Sequence, residues 1–219
     1  MEVLRFTLIG DGSSDKVLMN IVYWLISDLY PTLPLDGSFA DFRQFINPPK
    51  KGDVSGQIAF ANENYPFDLL VYHRDAEKLH RNIIQQRKEE IFSQLADQNS
   101  DNNIICVVPI VMMESWLLFD ESAIKKAAGN RGYNKPLNLP ALSIIENIPQ
   151  TKTILYKILK EASGLKGRRL KKFNEGQAVH QIAENISDFS PLRILSSFQV
   201  FENDLKENID QIIERKKWN

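Results

Sequence analysis

The chain has 219 residues with 27 basic and 28 acidic side chains, so its formal net charge of -1 excludes a uniformly basic nucleic-acid coat and an acidic solvating tail. Its hydrophobic fraction of 43% and charged fraction of 25% are typical of a globular protein that can bury a core. The single cysteine, Cys106, excludes an internal disulfide framework and a cysteine zinc cluster, and its apolar surroundings predict a buried thiol. The apolar stretch that ends at Gly10 is too short for a signal peptide or a membrane helix, so we expect a cytoplasmic protein without a membrane partner.

The first half of the chain alternates between strand-like and helical patterns. Short apolar runs rich in branched residues predict strands that are covered on both faces. These runs are Val3–Ile9, Asp68–His73 and Ile104–Ile110. Apolar residues at helical spacing predict helices over Ser14–Tyr30 and Ala76–Asp97, while Phe39–Phe45 indicates a further strand and Val54–Asn64 a short helix. This order predicts an α/β fold in which helices cover both faces of a mostly parallel, doubly wound sheet.

The pattern changes after Pro109, beyond which we predict only helical segments separated by glycine and proline. They are Glu114–Gly129, Pro140–Asn147, Thr151–Ser163, Gly176–Ile186 and Val200–Lys216. Residues 130–138 have the composition of a loop. We therefore predict an α/β domain over residues 1–129 and an all-helical extension over residues 130–219.

Acidic residues follow three of the predicted strands. Asp11 and Asp15 come after the first, Asp75 and Glu77 after the second apolar run, and Glu114 shortly after the last. Because ligands of open α/β sheets bind outside the carboxyl ends of the strands, we expect these five side chains to gather at one sheet edge. Converging carboxylates repel one another unless a hard cation neutralises them, which predicts one or two Mg²⁺ or Mn²⁺ ions.

Each acid also has a structural interpretation. Asp11 fits an ordinary loop, and Asp15 fits the first turn of the helix that follows. Asp75 fits a helix N-cap, with Glu77 in the first turn behind it. The glycines on both sides of Asp11 favour close approach of the backbone to a ligand. Glu114 stands in an apolar stretch, where an acid needs a partner or a metal ion.

Motifs of other chemistries are missing from the sequence. It has no complete dinucleotide-binding fingerprint, no phosphate-binding loop, no nucleophile elbow and no His-x-x-x-His pair. Among the histidines only His73, which adjoins Arg74 and Asp75, falls beside the acids. His73 and Arg74 are therefore candidate accessory residues, and a buried structural role fits His73 equally well.

At GDGSSD and at DLLVYHRDAE the sequence resembles the Toprim domain, most closely the small stand-alone and OLD-type Toprim proteins of bacteria. In that family an acid after the first strand and an Asp-x-Asp motif after the third bind Mg²⁺ for phosphodiester chemistry on nucleic acid. The resemblance implies that Asp11 takes the place of the family glutamate and that Asp15 takes the place of the second acid. It implies a Toprim-like form of the Rossmann-like sheet.

For the Asp-x-Asp motif the resemblance leaves two alignments open. Asp75 is the second acid, with His73 in the first position, or the motif is shifted to Asp75 and Glu77. The segment VPIVMMESWLLFDE resembles a later signature of Toprim-like proteins, in which Glu114 is the functional acid. The resemblance also implies a partner ATPase and a role in phage defence.

A local excess of positive charge lies over residues 151–173, which contain eight basic residues and one acid and so have a net charge of about +7. Glycines around its centre indicate a loop that follows a phosphate backbone, and arginine pairs suit bidentate phosphate contact. The alternative is a solvated charged loop. The candidate nucleic-acid contacts are Lys166, Arg168, Arg169, Lys171 and Lys172.

The sequence therefore predicts a metal-dependent nuclease that hydrolyses phosphodiester bonds in DNA or RNA. Asp11, Asp75 and Glu114 are the expected catalytic metal ligands, with Asp15 and Glu77 as further ligands. Two interpretations compete with this prediction. Aspartate at position 11 and histidine at position 73 favour a catalytically degenerate Toprim-like binding or regulatory subunit of an ATPase-associated complex, and a small-molecule phosphotransferase or phosphatase would not need the basic segment.

Overall fold

The computed structural model describes residues 3–77, 79, 82–95 and 103–216, and a four-stranded sheet lies at the centre of this part. Its strands are β1 (Leu4–Ile9), β2 (Leu35–Phe39), β3 (Leu69–His73) and β4 (Asn103–Val107). They are ordered β2-β1-β3-β4, and each neighbouring pair is parallel. The predicted α/β class with a parallel sheet is therefore confirmed.

Eight α-helices accompany this sheet in the described residues. They are α1 (Leu18–Leu29), α2 (Val54–Asn64), α3 (Ile83–Phe92), α4 (Glu121–Ala127), α5 (Thr151–Ser163), α6 (Gly167–Lys171), α7 (Glu175–Asn185) and α8 (Ser196–Lys216). Short 3-10 helices occur at Ser13–Val17, Phe42–Gln44, Ser93–Leu95, Met113–Leu117, Leu142–Asn147 and Ser190–Ile194. Every described element after β4 is helical, as predicted. In the described residues, no helix combines the length and the apolar character needed to cross a bilayer.

Alternating side chains of the strands build two apolar clusters, one on each face of the sheet. On one face β1 contributes Leu4, Phe6 and Leu8, which pack with buried residues of α1, α4, α5, α7 and α8. On the other face Ile9 of β1 joins residues of α2 and α3. The first cluster runs across residue 129, because the C-terminal helices share the core of the sheet. The division into domains at that residue stays a prediction.

The two edges of the sheet are protected differently. Along β4, Lys88 of α3 and Asp204 of α8 form an ion pair of 2.6 Å, which joins helices from opposite faces around the strand. Along β2, the Tyr23 hydroxyl accepts a hydrogen bond from the Gly37 N–H (2.6 Å) and donates one to the Gly37 carbonyl (3.2 Å). A single hydroxyl of α1 therefore satisfies both outward backbone groups in the middle of an edge strand.

We expect Gly37→Ala to lower the free energy of unfolding by about 1–3 kcal/mol, the usual cost of overpacking. A Cβ at this position would lie 2.3 Å from a ring carbon of Phe6 and 2.7 Å from the Tyr23 hydroxyl, and both rings are packed. Urea denaturation measures the change. Gly132→Ala is the matched control, since nothing lies within 4 Å of its added Cβ, and equal stabilities of the two variants would contradict the prediction.

Two predicted strands need correction. The pattern over Phe39–Phe45 is not a strand, because β2 ends at Phe39 and the phenylalanines beyond it pack edge-on against Phe60. Their packing in a turn mimics the alternation of a strand. The predicted strand over Ile104–Ile110 ends at Val107, since Pro109 has no N–H to donate to a ladder.

Several predicted helices also differ from the structure. The helix predicted over Glu114–Gly129 is interrupted at Asp120, whose carboxylate accepts the Ala123 N–H and caps α4. The helix predicted over Ala76–Asp97 appears as α3, and its residues 78, 80–81 and 96–97 lie outside the described part. The basic segment is not one loop, because its centre forms α6. The predicted bounds of α2 and α5 are confirmed.

Candidate active site

The segments that follow β1, β3 and β4 bring predicted acids together at the carboxyl ends of the strands. His73, the last residue of β3, contacts both Asp15 and Asp75. The Met113 N–H donates a 2.8 Å hydrogen bond to Asp75 Oδ1, which joins the segment after β4 to the segment after β3. Glu114 follows Met113 directly and is buried. The predicted sheet edge is therefore the place where these side chains gather.

His73 supplies positive charge at the centre of this edge. Its ring nitrogens lie 3.2 Å from Asp15 Oδ2 and 3.3 Å from Asp75 Oδ1, and the residue is 1% exposed. The Nδ1 contact with Asp15 is an ion pair without the alignment of a hydrogen bond. Burial lowers the pKa of His73, but the two carboxylates outweigh burial and raise it to about 10. The imidazolium form is therefore favoured at neutral pH, and both ring nitrogens face carboxylates.

Asp15 serves the protein structure with both of its oxygens. Oδ2 accepts the Gly12 N–H at 3.0 Å in addition to facing His73, and Oδ1 accepts the Ser14 hydroxyl at 3.1 Å. Burial raises the pKa of Asp15, but His73 and these donors outweigh it and hold that pKa below its usual value. A Cβ on Gly10 would lie 2.6 Å from the Cβ of Asp15. Gly10, one of the two glycines for which we expected close approach to a ligand, therefore leaves room for the Asp15 side chain.

Glu114 is neutralised by a residue of the C-terminal helices. Lys152, in the first turn of α5, places its Nζ 3.0 Å from Glu114 Oε1 and 5.8 Å from the ring centroid of Tyr156. Burial lowers the pKa of Lys152, but Glu114 outweighs burial and raises it above the usual value. Sequence reasoning did not pair these two residues. The position of Lys152 was a local indication of the pair, because a cation in the first turn of a helix is unfavourable next to the helix dipole unless an acid lies nearby.

Asp11 stands at the mouth of a cleft of about 170 Å³. Its side chain is partly exposed, and Lys51 Nζ lies 3.7 Å from Asp11 Oδ2. Arg43 lines the same cleft and is held by Asp41 at 2.6 Å. Gln57 from α2 closes the inner wall. The cleft therefore contains two cations, each paired with a carboxylate of the same cleft, and one amide.

Glu77 and Arg74 interact with α3. Glu77 pairs with Arg87 at 3.5 Å, and Arg74 pairs with Glu90 at 3.6 Å. The backbone of Glu77 is left-handed (φ 60°), as is that of Val111 (φ 67°), and the Glu77 N–H donates to the Val111 carbonyl at 2.9 Å. A left-handed β-branched residue is strained by about 1–3 kcal/mol, and such strain concentrates at functional sites. The strained contact joins the two segments that carry Asp75 and Glu114.

The predicted acids differ in whether they keep a carboxylate oxygen that no other described residue contacts. Asp11, Asp75 and Glu114 each keep one carboxylate oxygen without a hydrogen bond or ion pair to another described residue. Hard oxygen donors of this kind fit Mg²⁺ or Mn²⁺, which are commonly held by one or two carboxylates together with water and substrate phosphate. Among the described residues no three His, Cys, Asp or Glu side chains form a metal cluster by themselves. Water and phosphate would therefore complete the shell.

The five predicted nucleic-acid contacts lie apart from this edge, after α5. All five are exposed. They are Lys166 before α6, Arg168, Arg169 and Lys171 within it, and Lys172 at its end. The basic segment therefore reaches the sheet edge through Lys152 of α5, while these five residues follow the other end of that helix.

The chain was compared with known proteins. No protein-family model matches it, and neither a curated protein nor a solved structure does. The resemblance to Toprim proteins therefore rests on the motifs at Asp11, Asp75 and Glu114, and membership of that family stays a prediction.

Proposed function

We propose that the chain is a divalent-metal-dependent nuclease that hydrolyses phosphodiester bonds of DNA or RNA. The observation that supports this function is the sheet edge at which Asp11, Asp75 and Glu114 keep free carboxylate oxygens. These residues follow three strands at the position where open α/β sheets bind ligands. Carboxylates with a neighbouring cleft that contains Lys51 and Arg43 suit a phosphate substrate that arrives with its metal ion.

Each side chain at this edge has a defined role in the proposed reaction. Asp11, Asp75 and Glu114 would each offer an oxygen to one or two ions, which when bound would lower the pKa of a water molecule and neutralise charge on the phosphate. His73 places a positive charge beside Asp75 and contacts its Oδ1, so that Oδ2 remains available. Lys51 attracts a substrate phosphate toward Asp11.

One observation favours a second candidate, a binding or regulatory subunit without hydrolysis. His73 and Lys152 already neutralise charge on Asp15, Asp75 and Glu114, so the edge is stable without a metal ion. A degenerate domain would show this arrangement. In that case the same surface would serve an ATPase-associated complex, the context in which the sequence resemblance also implies phage defence.

Cleavage of supercoiled plasmid and of tRNA in Mg²⁺ or Mn²⁺ tests the proposal, with Glu114→Gln as the central variant. We expect this change to reduce the cleavage rate at least about a hundredfold, because it removes a charged ligand while keeping a hydrogen-bond acceptor for Lys152. Calorimetric titration with Mn²⁺ should show weaker binding by about tenfold or more. Glu121→Gln is the matched control, since Glu121 also pairs with a lysine, Lys125, but lies in α4.

The outcomes separate the two candidates. Cleavage that is lost in Glu114→Gln and kept in Glu121→Gln supports the nuclease. If the wild-type protein cuts neither substrate and binds no Mn²⁺, the nuclease is rejected in favour of the binding subunit.

A further inference from the structure

An open groove lies beside α6 and α7, and among its described lining residues there is no carboxylate. Its volume is about 320 Å³. Arg169 and Lys172 supply positive charge, while Gln177 and Gln181, one turn apart on α7, supply amide donors and acceptors. Cations that contact phosphates, next to amides that contact bases, are the chemistry that recognises a nucleic-acid strand.

The charge of this groove is not cancelled by the protein. We define the basic cluster as the set whose members are exposed and form no ion pair with a described residue; they are Lys166, Arg168, Arg169, Lys171 and Lys172. By contrast, Lys160 on α5 is neutralised by Glu175 at 2.5 Å. Five cations within seven residues, on a chain of net charge -1, form a local site for a polyanion.

Helix α5 runs from the candidate active site to the groove. At its first turn Lys152 pairs with Glu114. At its other end the Asn130 side chain donates to the Ala162 carbonyl at 3.0 Å, and Asn130 directly follows Gly129 of the groove wall. A helix of 13 residues is about 20 Å long at about 1.5 Å per residue. Along α5, the groove wall and Glu114 therefore lie roughly 20 Å apart.

We infer that the groove anchors the substrate strand and that α5 sets the distance from this anchor to the phosphate that is cut. The spacing to a cut phosphate rests on the proposed nuclease function, whereas the anchor does not. At about 3.4 Å per nucleotide of a stacked strand, 20 Å corresponds to about six nucleotides. Lys157, exposed on α5 between the two ends, forms no ion pair with a described residue and is a further cation on this helix.

Fluorescence anisotropy in EDTA tests the anchor without cleavage, using labelled single strands of about three to twelve nucleotides. We expect affinity to rise steeply near six nucleotides, where a strand first reaches from the groove to Lys152 at the first turn of α5. The double variant Arg169→Ala/Lys172→Ala should weaken binding of the twelve-mer about tenfold and reduce the salt slope by roughly two. Lys206→Ala is the control, because Lys206 is an exposed lysine of α8 that pairs with Asp210.

Cleavage in Mn²⁺ then tests the spacing. We expect the double variant to raise KM about tenfold with kcat within about twofold, and cuts to fall about six nucleotides from the anchored segment. Unchanged affinity and salt slope in the double variant would overturn the anchor. An affinity that rises evenly with length would overturn the spacing. If the double variant weakens binding but the wild-type protein cleaves in neither Mg²⁺ nor Mn²⁺, the anchor is confirmed and the proposed nuclease function is overturned.

Discussion

Replacement of His73 by glutamine is expected to lower the free energy of unfolding by about 3–5 kcal/mol. The imidazolium is buried between Asp15 and Asp75, and glutamine keeps a hydrogen-bond donor but removes the charge. Asp15 then remains buried with no positive charge beside it. Urea or guanidinium denaturation at pH 7 measures the effect.

Two further variants separate charge from packing. The double variant His73→Gln/Asp15→Asn should recover part of the lost stability, because the uncompensated charge is removed together with its partner. His180→Gln is the control, since His180 is partly exposed on α7. A loss at His73 no larger than the loss at His180 would contradict the expected ion pairs.

The same ion pairs predict a pH dependence of stability. Because the pKa of His73 is raised to about 10 in the folded state, its contribution is complete below its ordinary pKa of about 6.5. Between these values the folded protein holds a proton that the unfolded chain has released, so stability falls as pH rises toward 10. The His73→Gln variant should lack this fall.

For the proposed nuclease, Asp75→Asn is expected to reduce the rate of nucleic-acid cleavage at least about a hundredfold. The Met113 N–H and His73 both contact Oδ1 of Asp75. Its other oxygen, Oδ2, is therefore the one available to a metal ion. Asparagine preserves the carbonyl acceptor for Met113 while removing the negative charge. Cleavage assays in Mg²⁺ and Mn²⁺ measure the rate, and Mn²⁺ titration measures the affinity.

Asp120→Asn is the control for this loss, because Asp120 also accepts a backbone N–H near the same chain segment and only caps α4. We expect Asp120→Asn to keep wild-type cleavage. Full activity of Asp75→Asn would remove this residue from the site.

The fold could be predicted where a local pattern determines it. Branched apolar runs indicated three of the four strands, and the positions of Asp11, Asp75 and Glu114 after those strands indicated one sheet edge. The strand β2 was displaced in the prediction because its sequence, LDGSF, is short, polar and partly exposed, whereas the adjoining aromatic residues are more conspicuous.

The partners of the acids could not be predicted in the same way. His73 reaches Asp15, and Lys152 reaches Glu114, only because segments distant in the chain pack together. Both cations replace in part the neutralisation that the sequence assigned to metal ions alone. Periodicity carries no information on such pairs, and the opposed helix dipole at Lys152 was the one local sign of them.

The unequal edges of the sheet limit how copies of this protein can associate. In the described part of the chain, Lys88 and Asp204 meet beside β4, so a strand added on that side would have to displace their ion pair. On the β2 side only the Tyr23 hydroxyl occupies the Gly37 backbone groups. Among the described residues, a strand from a second molecule would therefore break fewer contacts at β2, where it would displace the Tyr23 hydroxyl from Gly37.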